Sequence, residues 1–238
     1  MSRSYIRIIL CLFLSTLLLA IPSYAVDVFR ISEYGGGHQI WFEAEAFDAR
    51  DPDSESVPSI GFKIVSTESN VKLPADAFGD AIVDVGGNDN IWLLYNFDIS
   101  EADGRAGTWH LRVREINPSN KSEWLWVLGD DGDEIPDKKP VFDKGDDRAF
   151  DVDTGPPWGW VMRGEGEVKE LQDGENTMMF WFREGDITAI RDVFVWCDNP
   201  AYTPIDEDYM NAKEIRLKPE LVEPAGKLTR TWGAIKGE

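Results

Sequence analysis

Punctuation is what most constrains this chain. From Val28 to Trp196, short apolar or alternating runs recur, separated by Gly, Pro, Asn and Asp. Runs of that length and spacing predict an all-β sandwich or barrel. The expected strands are 28–32, 39–46, 61–66, 81–85, 91–99, 108–115, 123–128, 158–162, 168–171, 176–183 and 190–197. No helix-period pattern competes with them. Parity then assigns faces, because successive side chains of a strand point to opposite sides. Trp109, Leu111 and Val113 oppose His110, Arg112 and Arg114, which reads as one buried face and one solvated face. Leu93, Tyr95, Phe97 and Ile99 form another core face, which leaves Trp92 on the outer side with Asn96 and Asp98.

The first residues bound the compartment. Arg3 and Arg7 precede an apolar run from Ile8 to Ile21, which closes on Pro22-Ser23-Tyr24-Ala25. These are the parts of a secretory signal peptide, so residues 1–25 are expected to be removed and the mature protein to begin near Val26, secreted or periplasmic. Cleavage takes away two arginines and no acid, so the net charge moves from −20 to about −22. A surface that acidic repels nucleic acid and anionic membrane and attracts cations. Cys11 leaves with the leader, so Cys197 has no partner within the chain. Nine of the ten tryptophans lie between Trp41 and Trp196 with no long Ser/Pro linker among them, which favours one domain over residues 26–200.

Within that domain the candidate chemistry starts at Trp41-Phe42-Glu43-Ala44-Glu45-Ala46-Phe47. On a regular strand Glu43 and Glu45 share a face roughly 6.5 to 7 Å apart, and two such carboxylates repel unless a proton or a cation sits between them. Oxygen donors of this kind suit a hard cation, and calcium is the common extracellular one. Two solvated glutamates on an open sheet face are the other reading.

Two stretches fall outside the strand pattern. Residues 130–155 carry a run of acids, but Asp130-Asp131-Gly132-Asp133 lacks the ligand spacing and closing glutamate of an EF-hand, so this is read as a solvated acidic insertion. Residues 201–238 are charged and Pro-punctuated and read as an irregular C-terminal tail. Its apolar patch near Trp232 is left to dock on the domain, on a protein partner, or on nothing.

Taken in order, Glu43-Ala-Glu45, Trp92-x-x-Tyr95, Gly107-Thr-Trp-x-Leu-x-Val-Arg114, Leu171-x-x-Gly174-x-Asn-Thr and Ile190-Arg-Asp192-Val-Phe resemble the carbohydrate-binding modules of families 6 and 35. Those are galactose-binding-like jelly-roll β-sandwiches, and the likeness covers roughly residues 38–198. The resemblance implies a structural calcium held by Glu43, Glu45 and Asp192. By parity Asp192 would share a strand face with Phe194 and Trp196, where an acid needs a partner or a metal. The resemblance also implies a polysaccharide or glycan held between two aromatic rings, here Trp92 and Trp158, with Trp160 in support. The stretch before the last strand, where the family often has an asparagine, has none, and Asp186 is the nearest polar side chain there.

Catalysis is the competing class. Glu43-x-Glu45-x-x-Asp48 is superficially similar to the paired-acid strand of concanavalin-like glycoside hydrolases, in which the two carboxyls stand about 5 to 5.5 Å apart. The order of acid types differs, and Asp48 would point away from Glu43 on a regular strand. The only histidines, His38 and His110, have no triad-like context. The expectation is a non-catalytic, secreted carbohydrate-binding domain with a structural calcium and no catalytic residues. An adhesion or scaffold domain of the same fold is the alternative.

Overall fold

The computed structural model describes residues 26, 28–51, 61–66, 73–79, 81–86, 92–117, 123–128, 148–149, 154–161, 168–182 and 189–216. The expected leader, most of the acidic insertion, Asp186 and residues 217–238 lie outside them.

In chain order the first strands are β1 (Val28–Tyr34), β2 (Gly37–Glu43), β3 (Ala49–Asp51), β4 (Gly61–Ser66), β5 (Ala81–Gly86) and β6 (Trp92–Asp98). After a 3₁₀ turn at Ser100–Ala102 come β7 (Gly107–Asn117), β8 (Glu123–Leu128), β9 (Arg148–Ala149), β10 (Thr154–Val161) and β11 (Val168–Leu171). Then follow β12 (Glu175–Phe182), β13 (Ala189–Cys197), helix α1 (Asp206–Asn211) and β14 (Lys213–Arg216). Every strand pairing is antiparallel. The first sheet runs β10-β7-β13-β2-β1-β14, with β11 on the early half of β7 and the β4-β5 hairpin on the early half of β13. The second sheet runs β3-β6-β12-β8-β9. The fold is thus the expected all-β, jelly-roll type of sandwich.

Local chemistry explains the connections. Gly35 and Gly36 both sit at positive φ, 61° and 80°, in the two-residue turn between β1 and β2, where mirror-image turn geometry favours glycine. The inner faces pack as parity predicts: Phe42 of the first sheet meets Tyr95 and Phe97 of the second at 5.8 Å between ring centroids, and Phe194 stacks on Phe180 at 5.1 Å. Trp109, Leu111, Val113, Leu93 and Trp196 complete this apolar centre.

Three expectations need correction. Residues 201–216 are not an irregular tail, because Tyr202, Tyr209 and Ala212 pack on the outer face of the first sheet and β14 pairs with β1 from Val28↔Arg216 to Ile31↔Lys213. The six-residue α1 starts where the Asp208 carboxylate accepts the Ile205 N–H at 3.3 Å, and three acids in its first turn suit the positive end of the helix dipole. Arg112 and Arg114 are not solvated either: they are 5% and 1% exposed, covered together with Trp41, Val193 and Val195. The third correction concerns strand β2, which ends at Glu43 rather than at residue 46. Among the described residues no helix is long and apolar enough to cross a membrane.

Candidate functional site

The end of β2 brings the predicted acids together by a route that strand parity does not foresee. The Ala44 N–H donates to the Asp192 carbonyl at 2.8 Å and Ala46 N–H to the Glu43 carbonyl at 3.1 Å, so the chain turns at Ala44 and Glu45. Tyr95 Oη holds that turn from the core side, donating to the Ala44 carbonyl at 2.6 Å. The turn swings the Glu45 carboxyl back into hydrogen-bonding reach of Glu43. Burial first, then the charge of Glu43, push Glu45 up to about 9 from an ordinary 4.5, with Asp192 adding to the shift. Glu45 Oε2 is buried without a hydrogen-bond partner.

Asp192 arrives through a β-bulge. The register of β13 against β7 slips between Arg191 and Val193, so Asp192 is an extra residue. Its side chain consequently leaves the face of Phe194 and Trp196, which corrects the parity reading. It turns to the outer side, where both carboxylate oxygens accept the Phe78 N–H, at 3.2 and 3.0 Å, and Oδ2 accepts from Arg114 Nη1 at 2.5 Å. Burial raises Asp192 to about 6, against the opposing pull of the Phe78 amide and Arg114.

Arg114 joins four segments at this point. Its Nε and Nη2 donate to the two oxygens of Asp206 at 3.0 and 2.8 Å, and Nη2 also donates to the Asp76 carbonyl at 3.0 Å. Its guanidinium lies 4.0 Å from the Phe78 ring centroid and 4.8 Å from that of Trp158. Tyr209 of α1 closes the cluster: its Oη donates to Glu43 Oε1 at 2.9 Å and its ring stacks on Phe78 at 4.7 Å. Gly79, at φ +61°, passes so near that a Cβ there would lie 2.9 Å from Glu43 Oε1. Tyr209, Asp206, Arg114 and Phe78 are the residues that sequence reasoning missed.

Among the described residues no three His, Cys, Asp or Glu side chains are grouped as the ligands of one bound ion would be, because Asp192 is turned onto Arg114. Glu45 Oε2 has no hydrogen-bond partner, and the charge of Glu43 adds to the raised proton affinity of both Glu45 and Asp192.

Trp92 and Trp158, the two rings expected to hold a sugar between them, belong to different sheets. Trp92 opens β6 on the second sheet, on the side opposite Leu93 and Tyr95, and stands in register with Trp181, which is in register with Trp124. Trp158 belongs to β10 of the first sheet, where its Nε1 donates to the Ala75 carbonyl at 2.9 Å and Arg114 lies over its half-buried ring. Trp160 supports the outer cluster instead: its ring edge meets Trp41 at 5.6 Å and its Nε1 donates to Asp206 at 2.9 Å. Asp48 is tied to sheet two, accepting the Asn96 backbone and side-chain N–H groups at 2.7 and 2.5 Å. The acids of the hydrolase-like string therefore do not share one strand.

No protein-family model matches the chain, and no curated protein matches it. Among solved structures, a family 35 carbohydrate-binding module from Clostridium thermocellum is similar over 66% of this chain and 96% of that chain, at 12% identity and a TM-score of 0.42. The C-terminal family 6 module of a marine laminarinase from Zobellia galactanivorans is similar over 66% and 98%, at 11% identity and a TM-score of 0.37. A Podospora anserina β-(1,4)-mannanase carrying a family 35 module is similar over 71% of this chain and 29% of that chain, at 12% identity and a TM-score of 0.42. Both families that the sequence motifs resemble are among these structures.

Proposed function

We propose that this protein is an exported, non-catalytic carbohydrate-binding sandwich that carries a structural calcium ion. The observation that carries the sugar reading is Trp158, a half-buried ring whose indole N–H is fixed to a backbone carbonyl and whose face is backed by a buried arginine. A ring held this firmly loses little freedom when a sugar stacks on it, and sugar C–H faces need flat apolar walls. Trp92 supplies a second aromatic position, on the other sheet. Asp186, which lies outside the described residues, remains the proposed hydroxyl acceptor.

The calcium reading draws on the partnerless oxygen of Glu45 beside Glu43 and Asp192. Those residues would hold the ion, which would supply positive charge to a buried cluster of like charges. An ion present at a hundred times its dissociation constant adds about 2.7 kcal/mol to folding stability.

A glycan array on calcium-loaded protein, followed by Trp158→Ala and Trp92→Ala, tests the proposal. Loss of an anchoring ring is expected to weaken binding by roughly thirtyfold or more, as for interface residues worth at least about 2 kcal/mol. Absence of any glycan ligand would favour the scaffold alternative. Melting that is identical in EDTA and in millimolar calcium removes the ion from the proposal.

A further inference from the structure

We propose that the outer face of the second sheet binds a stretch of a neutral, linear polysaccharide along a row of three tryptophan positions, Trp92, Trp181 and Trp124. This rests on the carbohydrate reading above and adds to it two residues and the form of the ligand. Register makes the row: Trp92 of β6 is paired directly with Trp181 of β12, and Trp181 with Trp124 of β8, with no slip in either pairing. Directly paired residues of antiparallel strands occupy the same face. The core takes the alternate positions, Leu93 and Phe180, with Val127 packed against it, so the row lies on the face turned away from the sandwich interior. The same register line continues through Asp51 of β3 and Arg148 of β9, so it crosses all five strands of this sheet.

Spacing, polarity and charge all suit a sugar chain. Adjacent strands stand about 4.8 Å apart, so the row from Trp92 to Trp124 covers roughly 10 Å, the length of about two consecutive pyranose rings. Sugar C–H faces rest on flat apolar walls, while the hydroxyls need polar partners at the margins. Asp51 brings acceptors to one end of the row and Arg148 brings donors to the other. Trp92 is partly exposed, whereas Leu94 and Met179, paired in the neighbouring row, are 7% and 2% exposed. The tryptophan row thus has a packed apolar flank beside it. The chain's net charge of −20 opposes a polyanionic ligand, and one acid and one base at the ends of the row leave it locally balanced.

Affinity electrophoresis of the full mature chain tests this, through gels holding glucomannan, xyloglucan, arabinoxylan or β-1,3-glucan, all neutral, and through gels holding polygalacturonate. Oligosaccharides of the retarding polymer, from one sugar to six, are then titrated by calorimetry. The expected result is retardation by at least one neutral gel and not by polygalacturonate, with binding that tightens roughly tenfold or more from the monosaccharide to the trisaccharide. Trp181→Ala and Trp124→Ala should each weaken hexasaccharide binding by roughly tenfold or more, as loss of an anchoring side chain does. Hydroxyl-radical footprinting of the wild-type chain serves where a variant fails to fold, and the hexasaccharide should protect Trp92, Trp124 and Trp181 more than Trp158. Binding that is lost in Trp158→Ala but unchanged in Trp181→Ala and Trp124→Ala, with no protection of the row, would overturn the row and leave the carbohydrate reading standing. Retardation by polygalacturonate alone overturns the neutral ligand, and retardation by no gel overturns both readings. Self-association in sedimentation velocity that Trp124→Ala abolishes gives the row to a second copy of the chain and likewise overturns the proposal.

Discussion

The two faces of the first sheet bury comparable aromatic mass by different means. The inner face, with Phe42, Phe194 and Trp196 against Phe97, Tyr95 and Phe180, is dominated by ring-on-ring packing. The outer face interleaves Trp41, Val193 and Val195 with Arg114, Asp192 and Glu43, and is covered by Tyr202, by Tyr209 of the short helix α1 and by Ala212. The inner face is mostly ring packing with one buried ion pair, Arg191–Glu115 at 3.5 Å, beside Phe180; on the outer face the charges form a network that joins several segments. The inner face therefore makes a fold, and the outer face is where an ion or a ligand has something to change.

The largest effects should come from breaking one element of each face. Phe194→Ala is expected to cost about 3–5 kcal/mol, the usual range for deleting a buried aromatic ring. Arg114→Met is expected to cost a similar amount, about 3–5 kcal/mol, since it leaves Asp192 buried without its cation. The two differ in rescue. Adding Asp192→Asn to Arg114→Met should recover much of the loss in urea unfolding, whereas no neutral partner substitution rescues Phe194→Ala. If the double variant is as unstable as the two single losses added together, the outer face does not depend on charge pairing.

That asymmetry also explains what could be read in advance. Parity placed Leu93, Tyr95, Phe97, Trp109, Leu111 and Val113 in the core because alternation is a purely local signal, and β6 and β7 obey it. It failed at Asp192, because a bulge shifts parity without marking the sequence, and at Glu45, because a turn rather than a strand brings it beside Glu43. Arg112 and Arg114 looked solvated, since their cover comes from residues about ninety positions later in a stretch without alternation. One signal was present there: the acids Asp206, Glu207 and Asp208 stand together as the first turn of a helix prefers. The arginine and tyrosine beside these acids, Arg114 and Tyr209, carried no signal that strand parity could read.

A second contrast concerns protons. In metal-free protein Glu45 holds its proton up to about pH 9 when folded and releases it near 4.5 when unfolded, so the folded state binds the extra proton between those limits. Stability from this group is full below about pH 4.5 and is lost as pH rises through 9. Asp192, raised from 3.8 to about 6, acts in the same direction over a narrower window. Melting temperature in EDTA should therefore fall as pH is raised from about 5 to about 8. Glu45→Gln, which copies the protonated form, should flatten that slope, and saturating calcium should do the same. A metal-free melting curve that rises over this range would contradict the assignment of Glu45 as the strained acid.

The smallest effect should appear where the outer cover meets solvent. Glu214 on β14 pairs with Arg216 at 2.8 Å and with Arg30 at 3.6 Å, and all three side chains are substantially exposed. Water screens such pairs, and ordering long side chains offsets the attraction, so each contributes roughly 0 to 1 kcal/mol. Main-chain pairing from Val28↔Arg216 to Ile31↔Lys213 and the packing of Tyr209 hold this edge instead. Glu214→Ala removes both ion pairs yet is expected to lower unfolding stability by less than about 1 kcal/mol, with little dependence on added salt. A loss near that of Arg114→Met, or one that disappears in high salt, would mean that surface charge as well as buried charge fastens the segment, and the contrast between the two faces would then extend to the sheet edge.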